Sequence, residues 1–246
     1  LIPELEALGD DLGLTKAWQL IAHRHLLVCE FDVMRQPLDR ALFHARRSGD
    51  RLEETEALGA LLWAYRWGPA PVKDGIRRCE ELLLDLGGDR RIEAQVLAAQ
   101  GVLQAMLGRF QEARILLART AEIFGDLGLL YGLGLMSQAR LEIEMLAGDP
   151  VEAERAARAV YEEYRDEHNW MSDRAASGLA LALCAQERYQ EATSYTDITA
   201  TQLGDQVMDQ ILWRIARSRA LAGLGQLDEA ARSPVRPLRW RGPPTP

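Results

Sequence analysis

The chain has 246 residues, 48% of them hydrophobic and 27% charged, and a formal net charge of −8. That apolar share excludes general disorder, and the acidic balance argues against broad binding to nucleic acid or to an anionic membrane surface. No apolar run is long enough to span a bilayer and no signal peptide is read, so a cytoplasmic location is expected.

In chain order, residues 1–8 read as the tail of a second helix from a preceding hairpin. Apolar periodicity and its punctuation then predict helices over 14–28, 36–48, 50–66, 71–86, 89–107, 110–124, 128–147, 150–164, 170–186, 189–203 and 205–224. No stretch alternates as a strand would. The chain opens Leu1-Ile2-Pro3 without an initiator Met, and is expected to be an internal piece of a longer protein. After Ala230, prolines at 234, 237, 243, 244 and 246 forbid helix, so 233–246 is expected to be a Pro- and Arg-rich non-helical tail. Arg far outnumbers Lys (only Lys16 and Lys73), as the codon bias of a GC-rich genome would produce. Cys29, Cys79 and Cys184 lie apart in apolar helical stretches and read as buried free thiols of a reducing compartment.

Two markers recur in step. One phrase reads Gly108-Arg-Phe110-Gln-Glu112-Ala113 and Gly148-Asp-Pro150-Val-Glu152-Ala153. It returns as Glu187-Arg-Tyr189-Gln-Glu191-Ala192 and Gly225-Gln-Leu227-Asp-Glu229-Ala230, at intervals of 38 to 40 residues. The other is Gly-Asp, at 9–10, 49–50, 88–89, 125–126 and 204–205. Glycine ends a helix in the left-handed region and aspartate caps the next. Asp50 with Glu53 forms the sequence of a capping box, and Asp149-Pro150 with Glu152 is a second strong start. Near 165 the marker is missing, and Asn169 is the expected cap.

The markers alternate, so each period holds two helices, and a small residue (Ala41, Gly75, Ala113, Ala153, Ala192, Ala230) marks where they cross. A fixed period of this length signals stacked helical hairpins. The expected fold is therefore an all-α superhelix of about six hairpins over 1–232, right-handed, with contacts confined to adjacent repeats.

Gly101, Gly108, Phe110 and Ala113 follow the small–turn–aromatic–Ala pattern of the tetratricopeptide repeat (TPR), which the chain resembles. Gly225, Leu227 and Ala230 follow it in part. The period exceeds the usual 34 residues of that family, Glu187 replaces the turn glycine, and the second repeat runs Gly68-Pro-Ala-Pro71-Val-Lys-Asp-Gly75. Leu8 to Trp18 and Trp67 to Pro71 look like the C-terminal TPR arrays of bacterial AAA or STAND-type signalling ATPases, which are often joined to an adenylyl/guanylyl cyclase or a transcriptional-regulator domain. The resemblance implies a non-catalytic regulatory scaffold that binds a protein segment or sibling domains of the same polypeptide. It leaves a second possibility, an array that senses a small effector molecule. Any ATPase or cyclase activity would lie outside this chain.

The residues themselves offer little chemistry. His23 and His25 point to different sides of a helix and cannot chelate together. The acidic run 162–167 reads as a solvated helix end. Gly132-x-Gly134 lacks the strand and spacing of a dinucleotide site, and no phosphate loop or nucleophile elbow is present. No catalytic, metal or cofactor residue is therefore assigned. Trp18, Trp63, Trp67, Trp170 and Trp213 read as inter-repeat core, with the alternative that one or two anchor a partner. Carrying over the family's groove positions on the first helices selects Gln95, Gln138, Glu142, Arg174 and Arg219 as partner-binding candidates.

Overall fold

A computed structural model describes residues 1–85, 88–167, 170–202 and 207–232. All regular structure in them is helical: α1 (Ile2–Leu8), α2 (Asp11–Leu26), α3 (Phe31–Ser48), α4 (Arg51–Trp67), α5 (Val72–Leu84), α6 (Arg90–Met106), α7 (Phe110–Asp126), α8 (Leu130–Ala147), α9 (Pro150–Tyr164), α10 (Trp170–Ala185), α11 (Tyr189–Gln202), α12 (Val207–Gly223) and α13 (Leu227–Arg232). A single 3-10 turn, Arg165–Glu167, follows α9. The chain is all-α. It forms two compact units, Leu1–Asp149 and Pro150–Pro246. In the first, each helix packs on the next, and α4, α6 and α8 also pack on one another in that order. In the second, α10 packs on α9, α11 and α12, and α12 packs on α11 and α13.

One turn is used again and again. After α2, α7's predecessor α6, α8, α10 and α12, a residue enters the left-handed region: Cys29 (φ 59°), Gly108 (76°), Gly148 (75°), Glu187 (61°) and Gly225 (78°). The next amide donates back five residues: Glu30 to the His25 carbonyl, Arg109 to Gln104, Asp149 to Glu144, Arg188 to Leu183 and Gln226 to Leu221, at 2.9–3.0 Å. This pairing satisfies carbonyls that the helix end would otherwise leave open. Glu187 thus keeps the conformation of the glycine it replaces. Cys29 supplies the same turn with no glycine to announce it, so α3 starts at Phe31, not at 36. Pro37 lies inside α3, buried, and does not begin it.

The turn register also corrects the small-residue column. Five residues after the left-handed position stand Ala113, Ala153, Ala192 and Ala230, but in the first hairpin Met34, not Ala41. Ala113, Ala153 and Ala192 are fully buried, and Ala230 is half-buried. Ala113 sits in a cluster with Val102, Ala105, Leu117, Ala139 and Ile143. A β-carbon added at Gly101 would lie 3.2 Å from the Ala113 carbonyl oxygen, so glycine there lets α6 and α7 meet almost backbone to backbone.

The Gly-Asp markers behave unequally. Asp10, Asp50 and Asp89 cap α2, α4 and α6, accepting from the amides of Gly13, Leu52 and Glu53, and Arg91 and Ile92. Asp126 does not cap: α7 runs through it, Gly128 takes the left-handed conformation, and Asp126 instead accepts from Arg90 at 2.9 Å. The capping box at Asp50 is half made, because the Glu53 carboxylate turns to Lys16 of α2. The expected starts at Asn169 and Gly204-Asp205, and the tail 233–246, lie outside the described residues.

Contacts are not confined to neighbours. Most polar links join consecutive hairpins, such as Arg78 to Asp39 (3.0 Å) and Arg114 to Glu144 (2.6 Å). Arg66 of α4, however, reaches past α6 to Glu142 of α8 at 2.7 Å. Its side chain is long enough to bridge helices whose backbones do not pack.

Two outcomes follow from the crossing and the turn. Ala113→Leu overpacks a filled crossing and is expected to cost roughly 1–3 kcal/mol, seen as a clear drop in Tm, while Arg155→Leu on the surface leaves Tm within error. Glu187→Gly relieves a left-handed side chain and is expected to raise stability by about 0.5–1 kcal/mol in urea titration, the relief exceeding glycine's extra unfolded-state entropy.

Candidate protein-binding face

On α2, residues 16, 19, 20 and 23 share one face by helical spacing. Lys16, Gln19, Leu20 and His23 form one wall of an open groove of about 360 Å³, and Glu56 and Ala60 of α4 form the other. Ala22, Leu26, Met34 and Leu38 complete the lining. Met34 and Leu38 of α3 are almost wholly buried and make an apolar floor, whereas Leu20 stands 70% exposed at the rim.

The groove exists because α2 and α4 stand apart. Elsewhere in this unit, first helices pack directly, α4 on α6 and α6 on α8. There the facing positions include Gly59 and Ala99, which permit close approach. Between α2 and α4 the facing side chains are long, and the link is polar: Lys16 pairs with Glu53, and Gln19 donates to the Glu53 carbonyl at 3.4 Å. Behind them Met34 fills the register that alanine holds in other hairpins. The Glu53 hydrogen bond raises the Lys16 ammonium above its usual range, so it stays charged. Glu53 itself is 4% exposed, and its second carboxylate oxygen is buried without a hydrogen-bond partner.

The residues selected from the sequence are placed differently from one another. Gln95 is half-buried on α6, and its side-chain oxygen, buried and without a hydrogen-bond partner, lies against Gly59. Gln138 donates to Glu142 at 3.2 Å, and Glu142 is already paired with Arg66. These three belong to the first unit. Arg174 and Arg219 belong to the second. Arg174 is not an exposed groove residue: it is 8% exposed and donates through Nε and a terminal nitrogen to Asp209 at 2.9 and 2.7 Å. Arg219 is exposed. Of the five, Gln138 and Glu142 are brought together on α8, and Arg174 is paired with Asp209. The α2–α4 groove residues were missed, although the 16, 19, 20, 23 spacing was there to be read.

Trp18 is half-buried with Arg40 stacked on its ring at 4.9 Å, and Trp213 donates to the Thr196 carbonyl at 2.8 Å. Trp63 and Trp67 are half-buried. The histidines part as expected: His23 lines the groove, while His25 Nδ1 lies 2.7 Å from Glu30. Cys79 and Cys184 are buried, but Cys29 is only half-buried. Burial pushes the Cys79 thiol up to about 12. Among the described residues no cluster of His, Cys, Asp and Glu could hold a metal ion, and no helix is long and apolar enough to cross a membrane.

Fold and groove together define an all-α helical array with an open, apolar-floored cleft between two of its helices. No family model matches the chain, and no curated protein matches it.

The burial of Arg174 sets an expectation. Arg174→Ala strands Asp209 in the interior, so it is expected to destabilise by about 3–5 kcal/mol, measured as a large fall in Tm. Arg219→Ala, at an exposed position, leaves Tm unchanged.

Proposed function

We propose that the chain is a non-catalytic interaction module whose first-helix face holds a protein segment or a neighbouring domain of its own polypeptide. The observation that carries this reading is the α2–α4 groove: aliphatic floor, polar rim and an exposed leucine at its edge. Such a cleft suits a side chain presented by another protein, because apolar surface is removed from water while the rim fixes orientation. A small effector molecule would be better served by an enclosed pocket with converging aromatic and polar groups. The walls here carry no Phe, Tyr or Trp, and their one ring is the His23 imidazole. The resemblance to TPR arrays of bacterial signalling ATPases supplies a setting, in which the module would hold a cyclase, a transcriptional regulator or the ATPase itself in check.

The test is selection of displayed peptides against the intact chain, followed by titration against Leu20→Asp. Position 20 is exposed, so the charge disturbs the groove and not the core. Binding weakened at least tenfold, with unchanged circular dichroism, is the expected result. Peptides that bind both forms equally would place binding elsewhere, and nucleotide turnover by the purified chain would overturn the non-catalytic reading.

A further inference from the structure

We infer that the α2–α4 groove takes a cationic amphipathic protein segment, one that seats an aliphatic side chain on Met34, Leu38 and Ala60 and sets a Lys or Arg against Glu56. The inference rests on the protein-binding reading above and specifies the chemistry of the partner.

Two observations carry it. The first is the charge inventory at the rim. Lys16 is the only lysine or arginine lining the groove, and it is already spent on Glu53. Glu56 is exposed and makes no ion pair among the described residues. With Lys16 held by Glu53, Glu56 is the one carboxylate on the lining, and it has no counter-charge there. An acidic segment would meet net repulsion here; a basic one is attracted.

The second is spacing. Glu56 and Ala60 are four residues apart on α4, one above the other on the same face. A segment whose apolar residue rests beside Ala60 therefore has Glu56 within about one helical turn, roughly 5.4 Å along the axis. A helical partner with its aliphatic and basic residues three or four positions apart fits both at once.

The alternatives differ in what they would need. A second copy of this chain would have to bring its own Arg-rich stretch, 233–246, and would show as concentration-dependent self-association without any peptide. An anionic vesicle would have to approach acidic residues. A basic segment needs neither.

The experiment uses three fluorescent peptides of equal length and identical leucine and methionine anchors, differing only in charged positions: lysine and arginine, serine and glutamine, or glutamate. Each is titrated against the intact chain, Glu56→Gln and Leu20→Asp by anisotropy, at low and high salt. The basic peptide is expected to bind about tenfold or more tighter than the acidic one. That gap is expected to shrink in high salt and in Glu56→Gln, and all groove binding to be lost in Leu20→Asp. Equal affinity of the three peptides, still abolished by Leu20→Asp, would overturn the charge preference and leave the protein-binding groove standing. Basic-peptide binding that ignores Leu20→Asp would mean attraction to the acidic surface at large and would overturn the site. No Leu20-dependent binding by any peptide would overturn both readings. Glu56 is exposed, so its substitution leaves Tm unchanged and a lost gap is not a lost fold.

Discussion

The architecture depends on one backbone device: a residue held in the left-handed region, with the following amide donating back five residues to close the helix before it. This device recurs at positions 29, 108, 148, 187 and 225 and shapes five of the turns between paired helices, while α4 passes to α5 through an extended Gly68 instead. Packing then selects small residues where the helices cross, because a close crossing leaves no room for a large side chain. Ala113, Ala153 and Ala192 are fully buried for that reason.

The groove is what happens where this selection is relaxed. In the first hairpin the crossing residue is Met34, and α2 meets α4 through lysine and glutamine, not through glycine and alanine. The two helices are tied by an ion pair at one point and open over the rest. The carboxylate that makes the tie, Glu53, is taken from a capping box, so α4 gives up part of its own N-terminal hydrogen bonding to hold α2. The remaining cap, Asp50 to the amides of Leu52 and Glu53, still satisfies the helix start.

Much of this was legible in the sequence and some was not, for physical reasons. The all-α class and nearly every helix could be read from period, glycine and capping aspartate, since these encode backbone conformation locally. The start of α3 could not, because Cys29 adopts a conformation that composition assigns to glycine and Pro37 offered a false start. Asp126 resembled a cap but is a surface acceptor for Arg90; only the position of Gly128 settles which residue ends α7. The candidate site was less legible still. Arg174 looks like a groove arginine until Asp209, 35 residues on, is brought against it. The α2–α4 groove arises from a missing contact, and a single sequence does not write down contacts that fail to form.

The Arg66–Glu142 bridge changes how the first unit can come apart. A stack of hairpins held only by nearest neighbours behaves as a one-dimensional chain, in which any hairpin can loosen at the expense of two interfaces. A tether from α4 to α8 encloses α6 between its ends. Loosening the middle of the stack then strains or breaks a partly buried charge pair that belongs to neither of its faces. The tether thus favours opening of α4, α6 and α8 together, whereas α2 lies outside it and is held to α4 by the Lys16–Glu53 pair and the Gln19 hydrogen bond.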